Sequence, residues 1–329
     1  MMCAKCVLPE YKPDICLNGQ GICNICADFE RAKNLKLNFL PILESELIKT
    51  LNKYRNKGKY NCLVMCSGGK DSTSSLYYMK KRYRINPLAF TFDHGFETEG
   101  AMENIRNAVN MLGVDWLYFK SDFMQELFAE IVRMKSKAPI CSVCSIWYMQ
   151  TSYDFAARFR IPLIISGWTR GQMVERTADS NLVLEPKFAS ITEATSDFID
   201  KIRRKHPKYK NFPKTMKEVQ KKYKIMVLSP HWFLQSESEE YVELIKKELK
   251  WKPIRLSYPA NSTNCYLNFL SVHLSMKYYG FTHYHVEMSK MIRMGLLTRD
   301  KALKLLERNY DDKLLASILG KLGCKTEDL

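Results

Sequence analysis

Cys62-Leu63-Val64-Met65-Cys66-Ser67-Gly68-Gly69-Lys70-Asp71-Ser72 decides how this chain is read. Its first four residues form a short apolar run that reads as a buried strand, and Thr73 to Arg82 reads as the helix that follows. Between them, two adjacent glycines let the backbone approach an anion closely. A helix N-terminus then offers unpaired amides and a positive dipole end. Lys70 adds a full positive charge, Ser67 and Ser72 add hydroxyl donors, and Asp71 can hold Mg²⁺ or orient the loop. The glycines sit side by side directly before the lysine, which is not the Walker A spacing. The stretch predicts a phosphate-binding loop.

Outward from the loop, short apolar runs alternate with longer amphipathic segments. Pro87-Leu88-Ala89-Phe90-Thr91-Phe92 reads as a second strand, followed by a helix over about Thr98 to Leu112. Trp116 to Phe119 reads as a third strand and Pro162 to Ser166 as a fourth. This alternation predicts an α/β fold, a parallel sheet with helices on both faces, whose ligands bind beyond the carboxyl ends of the strands. Upstream, Ile42, Leu43, Leu47, Ile48 and Leu51 recur at helical spacing before a turn at Asn56-Lys57-Gly58. From about residue 185 the pattern is mostly helical and ends in a hairpin over Leu296 to Leu322, with Thr298 as an N-cap. The expected organisation is a cysteine-rich ribbon over 1–30, a phosphate-binding domain over 31–185, and a mostly helical substrate or partner region over 186–329.

Composition narrows the class. With 329 residues and 46% hydrophobic residues the chain can bury a full core. It has no run of apolar residues long enough for a membrane span and no apolar core of a secretory signal, so a cytoplasmic protein is expected. A formal charge of +16 permits a polyanionic partner such as RNA, although the lysines are spread out. Lys201 to Lys224 is strongly basic, and reads as a solvated connector or a nucleic-acid surface.

Eleven cysteines in such a chain point to metal or redox chemistry. Cys3-x-x-Cys6 and Cys23-x-x-Cys26 offer four sulfurs on two tight turns, the pattern of a structural zinc site, with Cys16 between them left out. Cys141-x-x-Cys144 admits a redox pair, half of a zinc site, or two unrelated thiols, and Cys265 is a candidate third member. Cys62, Cys66 and Cys324 read as ordinary core or surface residues. His94 reads as a base or a surface residue.

The loop resembles the SGGxDS signature of the PP-loop, or N-type, ATP pyrophosphatases. That resemblance implies a PP-loop (HUP-like) fold, with Ser67, Gly68, Gly69, Lys70, Asp71 and Ser72 binding the pyrophosphate of ATP with Mg²⁺. It makes Lys70 and Asp71 the catalytic pair, and brings Thr91, Phe92, Asp93 and Gly167 to the nucleotide at two further strand ends. AMP then passes to a substrate oxygen as pyrophosphate leaves. The His-Asp-Asp version of the fourth-strand segment found in several tRNA-modifying members is absent from Ser166 to Gln172.

Cys3-Ala4-Lys5-Cys6-Val7-Leu8-Pro9 and Gly19-Gln20-Gly21-Ile22-Cys23-Asn24-Ile25-Cys26 look like the start of N-acetyl sugar amidotransferases of bacterial surface-polysaccharide pathways. The match runs through roughly the first half of the chain. It implies adenylation of an acetamido oxygen on an N-acetyl sugar or nucleotide sugar, and its replacement by ammonia from a separate glutaminase. The rival is a sulfurtransferase acting on RNA or a small molecule. There Cys141, Cys144 and Cys265 resemble the three-thiolate [4Fe-4S] site of PP-loop tRNA thiolases.

Overall fold

A computed structural model describes residues 1–34, 43–172, 188–234, 238–260, 262 and 264–329. Among them, β1 (Cys62–Met65), β2 (Pro87–Asp93), β3 (Asp115–Lys120), β4 (Leu163–Ile165) and β5 (Met226–Leu228) form one sheet in the order β3-β2-β1-β4-β5. Every pairing is parallel, with Leu63 opposite Leu88 on one side and Ile164 on the other. Strands buried on both faces carry apolar side chains at every position, and the period of two sorts them. Leu63, Met65 and Phe90 point to one core, while Cys62, Val64, Cys66 and Ala89 point to the other.

Helices cover both faces, as that sorting requires. The first core is completed from α5 (Gln125–Arg133), α6 (Ile140–Arg158), α7 (Ala189–Lys205), α10 (Leu267–Tyr279) and α13 (Asp312–Lys321), through residues such as Phe128, Tyr153, Phe198, Phe269 and Ile318. The second is completed from α2 (Glu44–Tyr54), α3 (Lys70–Tyr77), α4 (Glu99–Leu112) and α9 (Ser238–Leu249), through Leu47, Leu76, Ile105 and Ile245. The remaining helices are α1 (Asn24–Asn34), α8 (Met216–Lys222), α11 (His283–Arg293) and α12 (Arg299–Leu305). No helix among the described residues is long and apolar enough to cross a membrane.

Three differences from the sequence reading have physical causes. The helix after β1 starts at Lys70 rather than Thr73, because the loop residues themselves supply its first turn behind an extended Gly69 (φ −71°, ψ 163°). It then widens into a π-turn over Tyr78–Arg82, where the Tyr83 amide donates to the Tyr78 carbonyl at 2.9 Å. The fifth strand comes from the region read as helical. Met226-Val227-Leu228 is too short to show a period against the basic run before it.

That basic run is partly neutralised: Lys205 reaches Glu130 at 2.6 Å, Lys208 reaches Glu126 at 2.9 Å, and Lys214 reaches Asp200 at 2.6 Å. Thr298 does cap α12, accepting from the Lys301 amide at 3.3 Å. Ile42, grouped with α2 from its spacing, lies outside the described residues.

Candidate functional site

The strand order reverses at β1, which has β2 on one side and β4 on the other. A crevice forms where chains leave the carboxyl ends of two such neighbours in opposite directions. The residues leaving there are Ser67–Ser72 after β1 and Ser166–Gly167 after β4.

Two glycines shape this crevice. Gly68 has φ +77°, and a Cβ on it would fall 2.2 Å from the Ala101 carbonyl oxygen. A Cβ on Gly167 would fall 2.6 Å from the Ser72 amide nitrogen, so only glycine leaves the helix N-terminus open there. The loop's carbonyls are turned back and bonded. Gly68 accepts from Trp251 Nε1 at 3.0 Å and Asn104 Nδ2 at 3.2 Å, and Ser67 accepts from Asn264 Nδ2 at 2.8 Å. Ser67 and Ser72 hold each other, with their Oγ atoms 3.1 Å apart and the Ser67 amide 3.2 Å from Ser72 Oγ. The amides of the first turn of α3 have no partner within the helix. The result is an anion-binding concavity of donors whose acceptors are already occupied.

Lys70 Nζ lies 2.8 Å from both carboxyl oxygens of Asp71. Tyr241 donates its hydroxyl to Asp71 Oδ1 at 2.5 Å, and His231 Nε2 lies 2.9 Å from the Asp71 carbonyl, to which its N–H donates. Burial pushes the Asp71 carboxyl up, but Lys70, His231 and the Tyr241 bond together outweigh it and hold it below the usual carboxylate range. Burial lowers the His231 imidazole, against the pull of the Asp71 charge. On α11, Glu287 accepts from Thr169 at 2.6 Å; burial raises it, and the Asp71 charge adds to that. Tyr241, His231 and Glu287 carry no motif in the sequence. They reach the site only through the packing of segments about 160 to more than 200 residues downstream.

At the end of β2, Thr91 is buried, donating to the Cys66 carbonyl at 2.8 Å and accepting from Trp116 Nε1 at 3.0 Å. Phe92 is in the first core. Asp93 accepts from Tyr118 at 2.5 Å and from the Gly95 amide at 2.6 Å. What Thr91 and Phe92 have left for a ligand is main chain. His94 is not a surface residue: its side chain is 5% exposed, and burial lowers it to about 4.

Cys141 and Cys144 lie on the first turns of α6, and Cys265 just before α10. All three keep a little solvent contact while protein surrounds them densely, as on the floor of a cleft. Burial pushes the Cys265 thiol well up, and the charges of Glu97, Cys144 and Cys141 push it further; among the described residues, however, Cys141 and Cys144 do not join Cys265 in a set of ligating atoms within 4.8 Å of one another. A group of thiols that raise one another's pKa is suited to a cation, which would reverse the sign of that effect. No motif marks Glu97.

The four N-terminal cysteines come together as a buried group, with Cys6 and Cys23 sulfurs 3.8 Å apart. Tetrahedral ligation with Zn–S near 2.3 Å sets neighbouring sulfurs about 3.8 Å apart, so this set fits a metal ion. Cys23 and Cys26 are pushed up and Cys6 is pulled down, because one thiolate takes the S–H donations of its neighbours. Several thiolates can coexist there only around a cation. Cys16 stays outside the group and donates to the Pro13 carbonyl at 3.5 Å. Cys62, Cys66 and Cys324 are buried core residues.

No protein-family profile matches the chain. An uncharacterized protein of Methanocaldococcus jannaschii is 25% identical over 333 residues, covering 99% of this chain and 100% of its own. Among solved structures, the U34-tRNA thiolase NcsA from Methanococcus maripaludis, with its [4Fe-4S] cluster, is similar at a TM-score of 0.39 and 17% identity. That alignment covers 94% of this chain and 88% of that one. The NH3-dependent NAD synthetase from Campylobacter jejuni is similar at a TM-score of 0.31 and 12% identity, over 70% of this chain and 100% of that one. The NMN synthetase from Francisella tularensis is similar at a TM-score of 0.30 and 11% identity, over 72% of this chain and 97% of that one.

Proposed function

We propose that the chain is an ATP-cleaving enzyme of the PP-loop kind that releases pyrophosphate and transfers AMP to a carbonyl or amide oxygen of its substrate. The observation that carries this is the polarity of the loop. Its carbonyls are tied by Asn104, Trp251 and Asn264, while the first-turn amides remain as donors at a strand-order reversal, with Lys70 beside them on Asp71. Such donors stabilise the charge that develops on departing pyrophosphate. Mg²⁺ would accompany the triphosphate, and Asp71, kept ionised, is the loop carboxylate able to meet it. Adenylation turns a poor leaving oxygen into a good one. The loop thereby sets the first half of the reaction.

Sulfur is the nucleophile that we favour for the second half. The cleft holding Cys141, Cys144 and Cys265 lies one residue from Asn264, which bonds the loop. In this reading those thiols mark a metal centre, an iron–sulfur cluster or a single ion, which would activate the sulfur, and the substrate is RNA or a small molecule. Nitrogen is the second reading, supported by the likeness of residues 3–26 to N-acetyl sugar amidotransferases. The substrate is then an acetamido sugar or its nucleotide conjugate, with ammonia supplied by a separate glutaminase. The N-terminal cysteines hold zinc in both readings, and a cytoplasmic location suits both.

Pyrophosphate release from ATP tests the shared step, with an acetamido sugar plus ammonium in one series and RNA plus sulfide in another. Release in either series that vanishes in Lys70→Ala supports adenylation at this loop. Release unaffected by that substitution would overturn it.

A further inference from the structure

A second set of ligating atoms lies beside the thiol cleft. His94 follows β2, Glu97 precedes α4, and Cys265 precedes α10. Main-chain bonds lace these segments together: the Thr98 amide donates to the Asn264 carbonyl at 3.0 Å, and the Tyr266 amide to the Phe96 carbonyl at 2.9 Å. Glu97 and Cys265 face each other across this antiparallel bridge. Their relative placement is therefore set by backbone pairing.

Within this frame His94 Nε2 lies 3.6 Å from Cys265 Sγ and 3.5 Å from Glu97 Oε1. All three ligating atoms lie within 4.8 Å of one another. The side chains of His94 and Glu97 are 5% and 10% exposed, and the other polar atom of each, Nδ1 and Oε2, has no hydrogen-bond partner among the described residues. Hydrogen bonding does not account for the arrangement. A spacing of 3.5 Å is long for N–H···O, and a buried carboxylate with an unpaired oxygen is costly.

The spacing does match neighbouring donors on one ion. With Zn–N of about 2.0–2.1 Å and Zn–S of about 2.3 Å, a tetrahedron has an N–S edge of about 3.6 Å and an N–O edge of about 3.4 Å. The ribbon sulfurs Cys6 and Cys23, 3.8 Å apart, match the S–S edge of the same geometry. Glu126, Glu130 and His206 also group together. There, however, Lys205, Lys208 and Arg133 already supply the positive charge.

We propose that His94, Glu97 and Cys265 bind a single divalent transition ion of the zinc or ferrous class, distinct from the ribbon's ion. This rests on the reading of the thiol cleft as a metal centre and deepens it by naming its single-ion form, with Cys265 as one ligand. Donors so close together serve one metal, whereas a cluster spreads its protein ligands over separate irons. Three protein ligands leave a fourth position open, the arrangement that lets a site take a water or a substrate atom. Mixed nitrogen, oxygen and sulfur donors select zinc, iron or cobalt over magnesium or calcium.

The test is metal and acid-labile sulfide analysis of the anaerobically purified full chain, followed by Co²⁺ substitution and its visible spectrum. Two ions per chain without labile sulfide are expected. His94→Ala and Glu97→Gln should each lose one equivalent and the mixed-donor component of the cobalt spectrum. The four-thiolate spectrum of the ribbon should remain and serve as the reporter of folding. Two equivalents retained in both variants would overturn the proposal. Iron with labile sulfide that survives Glu97→Gln but not Cys141→Ser would also overturn it, while upholding the cluster. No metal beyond one ribbon ion would overturn both the site and the metal-centre reading. Pyrophosphate release reports on ATP cleavage separately from any of these results.

Discussion

Asn264 donates from Nδ2 to the carbonyl oxygen of Ser67 at 2.8 Å, and its neighbour in sequence, Cys265, places Sγ 3.6 Å from His94 Nε2. Two consecutive residues thus hold the phosphate loop with one side chain and line the thiol cleft with the next. The loop and the cleft share a frame, so disturbing this bond should be felt in ATP use.

Asn264→Ala removes the donor that keeps the Ser67 carbonyl turned away from the anion. A lost hydrogen bond of about 1–1.5 kcal/mol corresponds to roughly a tenfold rise in the KM for ATP. Steady-state pyrophosphate release over a range of ATP concentrations checks it. An unchanged KM would mean that the bond does not shape the loop.

The two loop glycines should behave differently. Gly68→Ala puts Cβ 2.2 Å from a backbone carbonyl at φ +77°, so a loss of about 2–3 kcal/mol in folding stability is expected. Gly69→Ala meets only Ser67 Oγ at 3.8 Å from a φ of −71°, and its stability should stay within about 0.5 kcal/mol of wild type. Urea unfolding of the two variants side by side distinguishes them.

Lys70→Ala should lower pyrophosphate release by about 100-fold or more, the scale seen when one preorganised donor to a developing charge is removed. It also strips Asp71 of a cation 2.8 Å away, so its carboxyl should titrate higher than in the wild type. Single-turnover assays with saturating ATP check the rate.

His285 supplies the pH prediction. Its Nδ1 accepts from the Thr282 amide at 3.2 Å, and burial lowers the imidazole from 6.5 to about 4. Below pH 6.5 the unfolded chain takes up a proton that the native ring refuses, so stability falls as pH drops towards about 4 and levels off beneath it. The loss over that window is on the order of 3 kcal/mol. His285→Asn, which keeps an acceptor at the cap, should make this part of the urea-midpoint curve shallower, with His94 and His283 contributing the slope that remains.

Removing metal from the ribbon with a chelator, or replacing Cys6 by Ser, should lower the melting temperature and release one ion per chain. Folding energy is drawn from the thiolate–metal bonds in such small sites. Calorimetry with and without chelator checks it. An unchanged transition would show that the four-cysteine group holds its shape unaided.

The legible parts were those with a local signature. The strand before the loop, the glycines and lysine within it, the helix capped by Thr98 and the two CxxC turns each carry their cause within a few residues. The alternation of strand and helix then fixed the parallel sheet. What surrounds Asp71 was invisible because Tyr241, His231 and Glu287 look like ordinary helix and turn residues until α9 and α11 pack. β5 was missed because three residues cannot show a period. Glu97 was missed because its meaning lies in the backbone bridge to Cys265, a contact between distant segments.

The ribbon's seat has a consequence for the order of events during synthesis. Arg299 donates to the carbonyls of Cys6 and Cys3, the Val7 amide donates to Ser289 Oγ, and Leu8 and Ile15 pack with Tyr279 and Phe281. Residues 3–15 are therefore synthesised well before the segments over 279–299 that cover their apolar side. A metal ion on the four cysteines would hold their shape in that interval, so its supply would govern whether the later segments meet a formed partner.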